Sequence, residues 1–303
     1  AGRDHRPRER LRLGQQANGV RRCACTAGRV VHLEEEVALH VVEESKDGII
    51  VTGAKQLATA APISNETYVS LSETFVRRAD PRFVLAFSIP TNSRGMKILC
   101  REPVSQWPGS YGHPLGMLYD EQDSMLFFQN VLVPWDRIFM LYEAAPLLQR
   151  FGGGINFMGW SNLCRIHERM RLMTAVATMI AESIGVIEYR EVGAKLGEMV
   201  TYTEMWRHAM DGLEHTSFMT EGGLMSLGPM SGMNIYFAQT SARMVQLLRE
   251  ICGSGLIMQP SENDLANPEL RPDLERYMRG KGVEVEHKSR LYRLAHDLAV
   301  SSF

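Results

Sequence analysis

The spacing of apolar positions divides the chain in two. From about Glu36 to Leu141 they recur every second residue or in short unbroken runs, and after Leu141 they recur at steps of three and four. The first period is that of a strand with one buried face, the second that of an amphipathic helix. Val37, Leu39 and Val41 alternate with Ala38, His40 and Val42, and Asp47-Gly48 has the composition of a tight hairpin turn with positive φ. Ile49, Val51 and Ala54 continue the strand, with Gly53 at a predicted bulge. Further strands are predicted over Tyr68 to Phe75, Phe83 to Ile89, Met96 to Cys100 and Met125 to Val133, the last bending at Asn130. The FVLAFSI run is apolar enough to be buried on both faces. Pro90, Asn92-Ser93-Arg94-Gly95 and Pro134-Trp135 punctuate these segments. Residues 35–145 are therefore expected to form a β-barrel or sandwich.

The remainder, 146–303, is expected to be an α-helical bundle, which makes the whole an α+β fold. Ile166, Met170, Met173, Ala177, Ile180 and Ile184 form one stripe, stopped by Gly185. Leu196, Met199, Val200, Thr203, Trp206 and Met210 form a second, and Met244, Leu247, Leu248 and Ile251 a third. Pro272 suits the first turn of a short helix, and Leu291, Leu294, Ala295 and Leu298 mark a last one. That helix runs almost to Phe303, so the chain reads as cut short there. Gly152-Gly153-Gly154 lacks the following Lys-Ser/Thr of a phosphate-binding loop and is expected to be a flexible linker.

Composition narrows the function. At 303 residues there is room for two domains, and a net charge of −2 gives no reason to expect nucleic acid or an anionic membrane as partner. No apolar run reaches the roughly 18 residues of a membrane span. The cysteines at 23, 25, 100, 164 and 252 show no zinc spacing, so no metal is expected, and free thiols point to a cytoplasmic protein. Residues 1–34 differ from the rest. Their first 33 residues hold eight arginines against Asp4 and Glu9, a net of about +6 that leaves about −8 elsewhere. This basic leader is expected to be disordered and foreign to the fold.

The stretch DGIIVTGAKQLATAAPISN, 47–65, carries the candidate chemistry. Ala58, Thr59, Ala60 and Ala61 run into Pro62, small enough for a flat ring to approach the backbone, and the Thr59 hydroxyl could bond a ring nitrogen or oxygen. Taken alone, it is an ordinary hairpin with a small-residue bend. Elsewhere, His167 has no partner at helical spacing and is expected at the surface, and Trp135 is expected as a plug between the two halves. Arg137 is expected in an ion pair with a neighbour.

Four segments carry a family resemblance: 47–65, PTNSRG at 90–95, HPLGMLYDEQDSMLFFQNVLVPWDRIF at 113–139, and SGLIMQPSENDLANPELRPDLERYMRG at 254–280. They resemble the 4-hydroxyphenylacetate 3-hydroxylase family, oxygenase components of two-component phenol monooxygenases with an acyl-CoA dehydrogenase-like fold. The resemblance runs from about Val37 to Phe303. It implies FAD, used as FADH2 delivered by a separate flavin reductase, with O2 and a 4-hydroxyphenylacetate-like phenol hydroxylated ortho to its hydroxyl. The cofactor supplies the hard chemistry and the protein orients rings and excludes water. By the resemblance Thr59 and Ala58 contact the cofactor, Ser301, Ser302 and Phe303 are further cofactor candidates, and Ser70 and Ser72 hold the substrate's acidic tail. It also implies a homotetramer. The family's phenol-activating residues lie in a preceding helical domain and the segment leading into the barrel, and residues 3–32 match neither, so no catalytic residue is assigned and the fold is expected to be truncated at both ends.

Two other readings remain open. One is an acyl-CoA-acting flavoenzyme of the same fold. Its 4-hydroxybutyryl-CoA dehydratase branch needs an iron–sulfur ligand set where this chain has Ser161 and Glu168. The other is a non-catalytic fragment that only oligomerises.

Overall fold

The computed structural model describes residues 21–24, 30–33, 37–70, 81–103, 111–221, 223, 225–227 and 231–300. Within the basic leader, β1 (Arg21–Ala24) pairs antiparallel with β2 (Val30–Leu33). The rest of residues 1–34 lies outside the described residues.

The first half is an open two-sheet sandwich. Its elements are β3 (His40–Glu44), β4 (Gly48–Gln56), β5 (Glu66–Ser70), β6 (Leu85–Pro90), β7 (Met96–Cys100), the short α1 (Gly116–Tyr119), β8 (Ser124–Pro134) and β9 (Ile138–Leu141). One sheet runs β3-β4-β8-β7 and the other β5-β6-β9, every neighbouring pair antiparallel. No strand pairing joins the two sheets among the described residues, so no closed barrel is found there. Alternation explains the core: Leu39, Ile49, Val51, Leu126 and Phe128 from one sheet meet Val69, Leu85 and Phe87 from the other. The strand expected over Tyr68 to Phe75 is described from Glu66 to Ser70, and its continuation lies outside the described residues.

Glycine at 48 is there for space, not for its φ. Neither Asp47 nor Gly48 has positive φ; the Ser45 hydroxyl closes the turn by accepting from the Asp47 and Gly48 amides, each at 3.2 Å. A Cβ on Gly48 would sit 2.0 Å from the Val133 carbonyl oxygen of β8. Gly53 has φ +117°, and the β4–β8 register shifts between Val51 and Gly53. There β8 advances three residues (131 to 128) against two on β4, so the extra residue of the predicted bulge lies on the partner strand. Asn130 opposite it has φ +49°, and its side chain accepts from the Thr52 hydroxyl at 2.9 Å.

The second half packs α2 (Ala144–Ser183), α3 (Arg190–His215), a small ribbon of β10 (Phe218–Met219) and β11 (Met225–Ser226), α4 (Ser231–Cys252), the short α5 (Glu262–Ala266) and α6 (Arg271–Tyr277), and α7 (Val285–Ala299). The predicted stripes meet in one core, with Met170, Met173, Met199, Met244, Leu247 and Leu298 buried around Trp206. The Trp206 indole donates to the Leu163 carbonyl at 3.1 Å, so even this polar edge is satisfied.

Three further expectations fail. Gly152-Gly153-Gly154 is no linker: α2 runs through it as helix, because the flanking helix is long enough to carry the glycine penalty. Val200 is 49% exposed, one position off the buried Met199–Thr203 stripe. Trp135 is 43% exposed and donates to the Ser45 carbonyl at 3.2 Å, so it braces the hairpin rather than plugging the junction. Arg137 does pair with a neighbour, Glu66, at 3.0 Å.

The halves are latched at Asp297 of α7, which is fully buried. Its carboxylate meets His113 Nδ1 at 2.9 Å and accepts from the Leu115 amide at 2.9 Å and the Gly116 amide at 3.1 Å. It thereby caps α1 from across the junction. No described helix is long and apolar enough to cross a membrane.

Candidate functional site

The small-residue bend after β4 is held in a conformation that side chains ordinarily avoid. Leu57 has φ +56° and Ala60 φ +61°. Such strain persists only where neighbours over-determine the backbone, and here the start of β8 does so. The Ala58 amide donates to the Ser124 carbonyl at 2.9 Å, and the Ala60 amide to the Gln122 carbonyl at 2.8 Å. The Ser124 hydroxyl returns a bond to the Ala58 carbonyl at 2.7 Å. The Thr59 hydroxyl donates to Asp123 Oδ1 at 2.6 Å. Its proton is committed to a group that can only accept, so toward any ligand the Thr59 oxygen is itself an acceptor.

Two cavities meet at this bond. The first, of about 260 Å³, opens between the sheets and is lined by Lys55, Ala58, Thr59, Thr67, Val69 and Leu126, among others. The second, of about 690 Å³, lies between the sandwich and the bundle. Arg101, Tyr119 and Asp123 wall it on one side, with Arg165, Arg169 and Phe237 on the other. Arg165 reaches across to Glu121 at 2.9 Å, and Arg101 pairs with Asp120. Arg169 donates to the Leu298 carbonyl at 3.2 Å, and burial with Arg165 nearby holds its pKa below the usual arginine value. The bend is thus not packed solid; it separates an inter-sheet cavity from an inter-domain one.

Of the residues expected from sequence, Ala58 and Thr59 lie in the cavity wall, and Ser70 ends β5 one residue beyond Val69 of the same wall. Ser72, Ser301, Ser302 and Phe303 lie outside the described residues. His167, expected at the surface, is instead largely buried, its side chain 15% exposed and its Nδ1 3.6 Å from Glu168. Cys100, Cys164 and Cys252 are free thiols.

Six further residues escaped sequence reasoning. Asp123 and Asp297 left no signal, because their partners are 64 and 184 residues away. His113, His296 and Asp297 converge at the latch, close enough for metal-ligating atoms, though the carboxylate is already engaged by His113 and two amides. Lys55 and Thr67 could have been found: period-two alternation sets Lys55 opposite Leu126, on the core-facing side of the sheet.

A two-sheet strand half joined to a long-helix bundle is the architecture of the acyl-CoA dehydrogenase-like fold. A solved 4-hydroxybutyryl-CoA dehydratase from N. maritimus shares it, with a TM-score of 0.76 at 22% identity over 88% of this chain and 54% of that one. The family is narrower. The profile described as 4-hydroxyphenylacetate 3-hydroxylase N terminal matches residues 28–140, and the C-terminal profile matches 145–303. The chain belongs to the 4-hydroxyphenylacetate 3-hydroxylase family, as the four quoted segments implied.

The 4-hydroxyphenylacetate 3-monooxygenase oxygenase component of Thermus thermophilus is 30% identical over 271 residues, covering 88% of this chain and 56% of that protein. A crystal structure of the oxygenase component (HpaB) of 4-hydroxyphenylacetate 3-monooxygenase, complexed with FAD and 4-hydroxyphenylacetate, superposes with a TM-score of 0.83 at 28% identity, covering 89% of this chain and 57% of that one. The chain therefore spans a little over half the length of the relatives it matches.

Proposed function

We propose that this chain is part of the oxygenase component of a two-component, flavin-dependent monooxygenase that hydroxylates a 4-hydroxyphenylacetate-like phenol ortho to its hydroxyl. Reduced FAD, when bound, supplies the activation of O2, and a separate flavin reductase supplies the reduced FAD. The observation that carries this reading is the bend. Two left-handed residues, small side chains at 58 and 60, and a hydroxyl aimed by Asp123 stand between a one-ring cavity and a larger inter-domain one. That donor set fits a flavin edge: the backbone is approachable, and Thr59 offers an acceptor to a ring N–H.

Each residue then has a physical task. Ala58 and Thr59 hold the ring edge, and Asp123 keeps the Thr59 proton turned away. Ser70 and Ser72 receive the acidic tail of the substrate, and the junction walls limit water. Ser301, Ser302 and Phe303, directly after α7, are further cofactor contacts. Exposed Met179, Val200 and Met205 on the outer bundle surface support a homo-oligomer, taken as a tetramer, and the free thiols support a cytoplasmic setting. A role in aromatic catabolism follows from the family resemblance.

The test is direct. The natural gene product, supplied with FAD, a reductase, NADH, O2 and 4-hydroxyphenylacetate, is expected to release 3,4-dihydroxyphenylacetate, read by chromatography. Absence of a catechol from that substrate and from every simple phenol tried overturns the reading.

A further inference from the structure

Lys55 stands at a core-facing position of β4, opposite buried Leu126, where the sheet pattern calls for an apolar residue. Its ammonium donates to the Gln56 carbonyl at 2.9 Å and the Leu57 carbonyl at 3.2 Å. It has no carboxylate partner among the described residues. Glu66, the acidic residue in the same cavity wall, is engaged by Arg137 at 3.0 Å and by the Ser88 hydroxyl at 3.2 Å. Carbonyl dipoles occupy two of the three ammonium donors and neutralise no charge. Burial alone holds the Lys55 pKa below the usual lysine value, as befits a cation lacking a counter-ion.

Across the cavity, the Thr67 hydroxyl of β5 is buried and makes no hydrogen bond among the described residues. A buried orphan hydroxyl is rare enough to need an explanation. Here it lines the same cavity as the uncompensated cation, from the facing sheet, and a carboxylate group between them has two oxygens to accept from both. Size agrees: an apolar cavity of about 150 Å³ takes benzene, so one of about 260 Å³ admits a single ring with a short charged tail.

We propose that Lys55 and Thr67 form an anion subsite that holds the carboxylate or phenolate oxygen of a one-ring aromatic ligand between the two sheets. The inference rests on the reading above for the identity of the ring. Ser70 alternates to the other face of β5 and does not line this cavity, so the subsite is separate from the hydroxyls expected of Ser70 and Ser72. Lysine here also braces the left-handed Leu57, so the test separates anion binding from bracing.

Calorimetric titration of the protein with 4-hydroxyphenylacetate, with its alcohol analogue 4-hydroxyphenethyl alcohol, and with ionised 4-nitrophenol provides the measurement. The wild-type protein is expected to bind the acid about tenfold or more tightly than the alcohol, the scale of a charge-assisted hydrogen bond. Lys55→Met is expected to bring that ratio near one while leaving the alcohol's affinity in place. Lys55→Arg is expected to restore part of it, and Thr67→Val to reduce it several-fold. If 4-nitrophenolate rather than the acid loses affinity in Lys55→Met, the phenolate oxygen is the occupant. A variant that melts earlier yet keeps the wild-type ratios overturns the inference in favour of bracing alone. Failure of the wild-type protein to bind any of these anions also overturns it. FAD binding, followed separately by flavin fluorescence, then shows whether the flavin reading survives.

Discussion

Two inward-facing charges, one in each half of the molecule, have opposite fates. Asp297 of the bundle is fully buried and meets an imidazole and two amides. Lys55 of the sandwich is half-buried and meets only two carbonyls of its own strand end. The first charge is completed within the chain and latches α1 to α7. The second, with the orphan hydroxyl of Thr67 beside it, needs something the described residues do not supply. A buried charge is costly unless paired. The inventory of partners, rather than the burial itself, therefore separates a structural ion from a binding one.

This comparison breaks first at Asp297. Asp297→Ala strands the half-buried His113 imidazole and the Leu115 and Gly116 amides at the start of α1, and is expected to cost about 3–5 kcal/mol in urea unfolding. A loss under about 1 kcal/mol would mean that the latch carries no load. Gly48→Ala comes next, because its Cβ would meet the Val133 carbonyl oxygen at 2.0 Å. The β4–β8 pairing must then spread, at about 1–3 kcal/mol in the same assay. A neutral outcome would show that the hairpin is looser than its register implies.

Thr59→Val sharpens the contrast from the other side. Thr59 is exposed, so stability should hold, while FAD binding should weaken by about tenfold through one lost hydrogen bond. Unchanged affinity would remove Thr59 from the cofactor site. Lys55→Met should alter stability by less than about 1 kcal/mol, since an unpaired cation gives way to an apolar group of similar length. A loss as large as that of Asp297→Ala would erase the distinction drawn here.

The smallest effect is expected at the bundle surface. Arg243 and Tyr202 donate to Glu198 and hold its carboxyl at about 2, against an ordinary 4.5. A depressed carboxylate stabilises above its unfolded pKa and loses that contribution as pH falls through the folded one. The stability difference between wild type and Glu198→Gln should therefore shrink from pH 4.5 down to about 2. Solvent screens a side chain about one-third exposed, so the difference is small throughout. A gap that stays constant over this range would refute the assignment.

Periodicity carried most of the fold. The strand Met96–Cys100 and the stripes through Met170, Trp206 and Leu247 are local patterns, and hydrophobic burial enforces them wherever the elements land. The bend was legible as well, since the small residues at 58–61 are contiguous. What surrounds it was not. The role of Gly48 depends on how closely β8 approaches, and Gly152-Gly153-Gly154 stays helical because of the length of helix around it.

By itself the sequence determined the division into a strand half and a helix half, the family, and the bend with Thr59. Those properties follow from residues near one another in the chain, where spacing and side-chain size act directly. Only the tertiary structure decided that no strand pairing joins the two sheets among the described residues, that Asp123 turns the Thr59 proton away, and that Asp297 meets an imidazole and two amides while Lys55 meets only carbonyls. Hydrogen bonds and ion pairs act over a few ångströms of space, and folding brings groups from distant stretches of chain within that range.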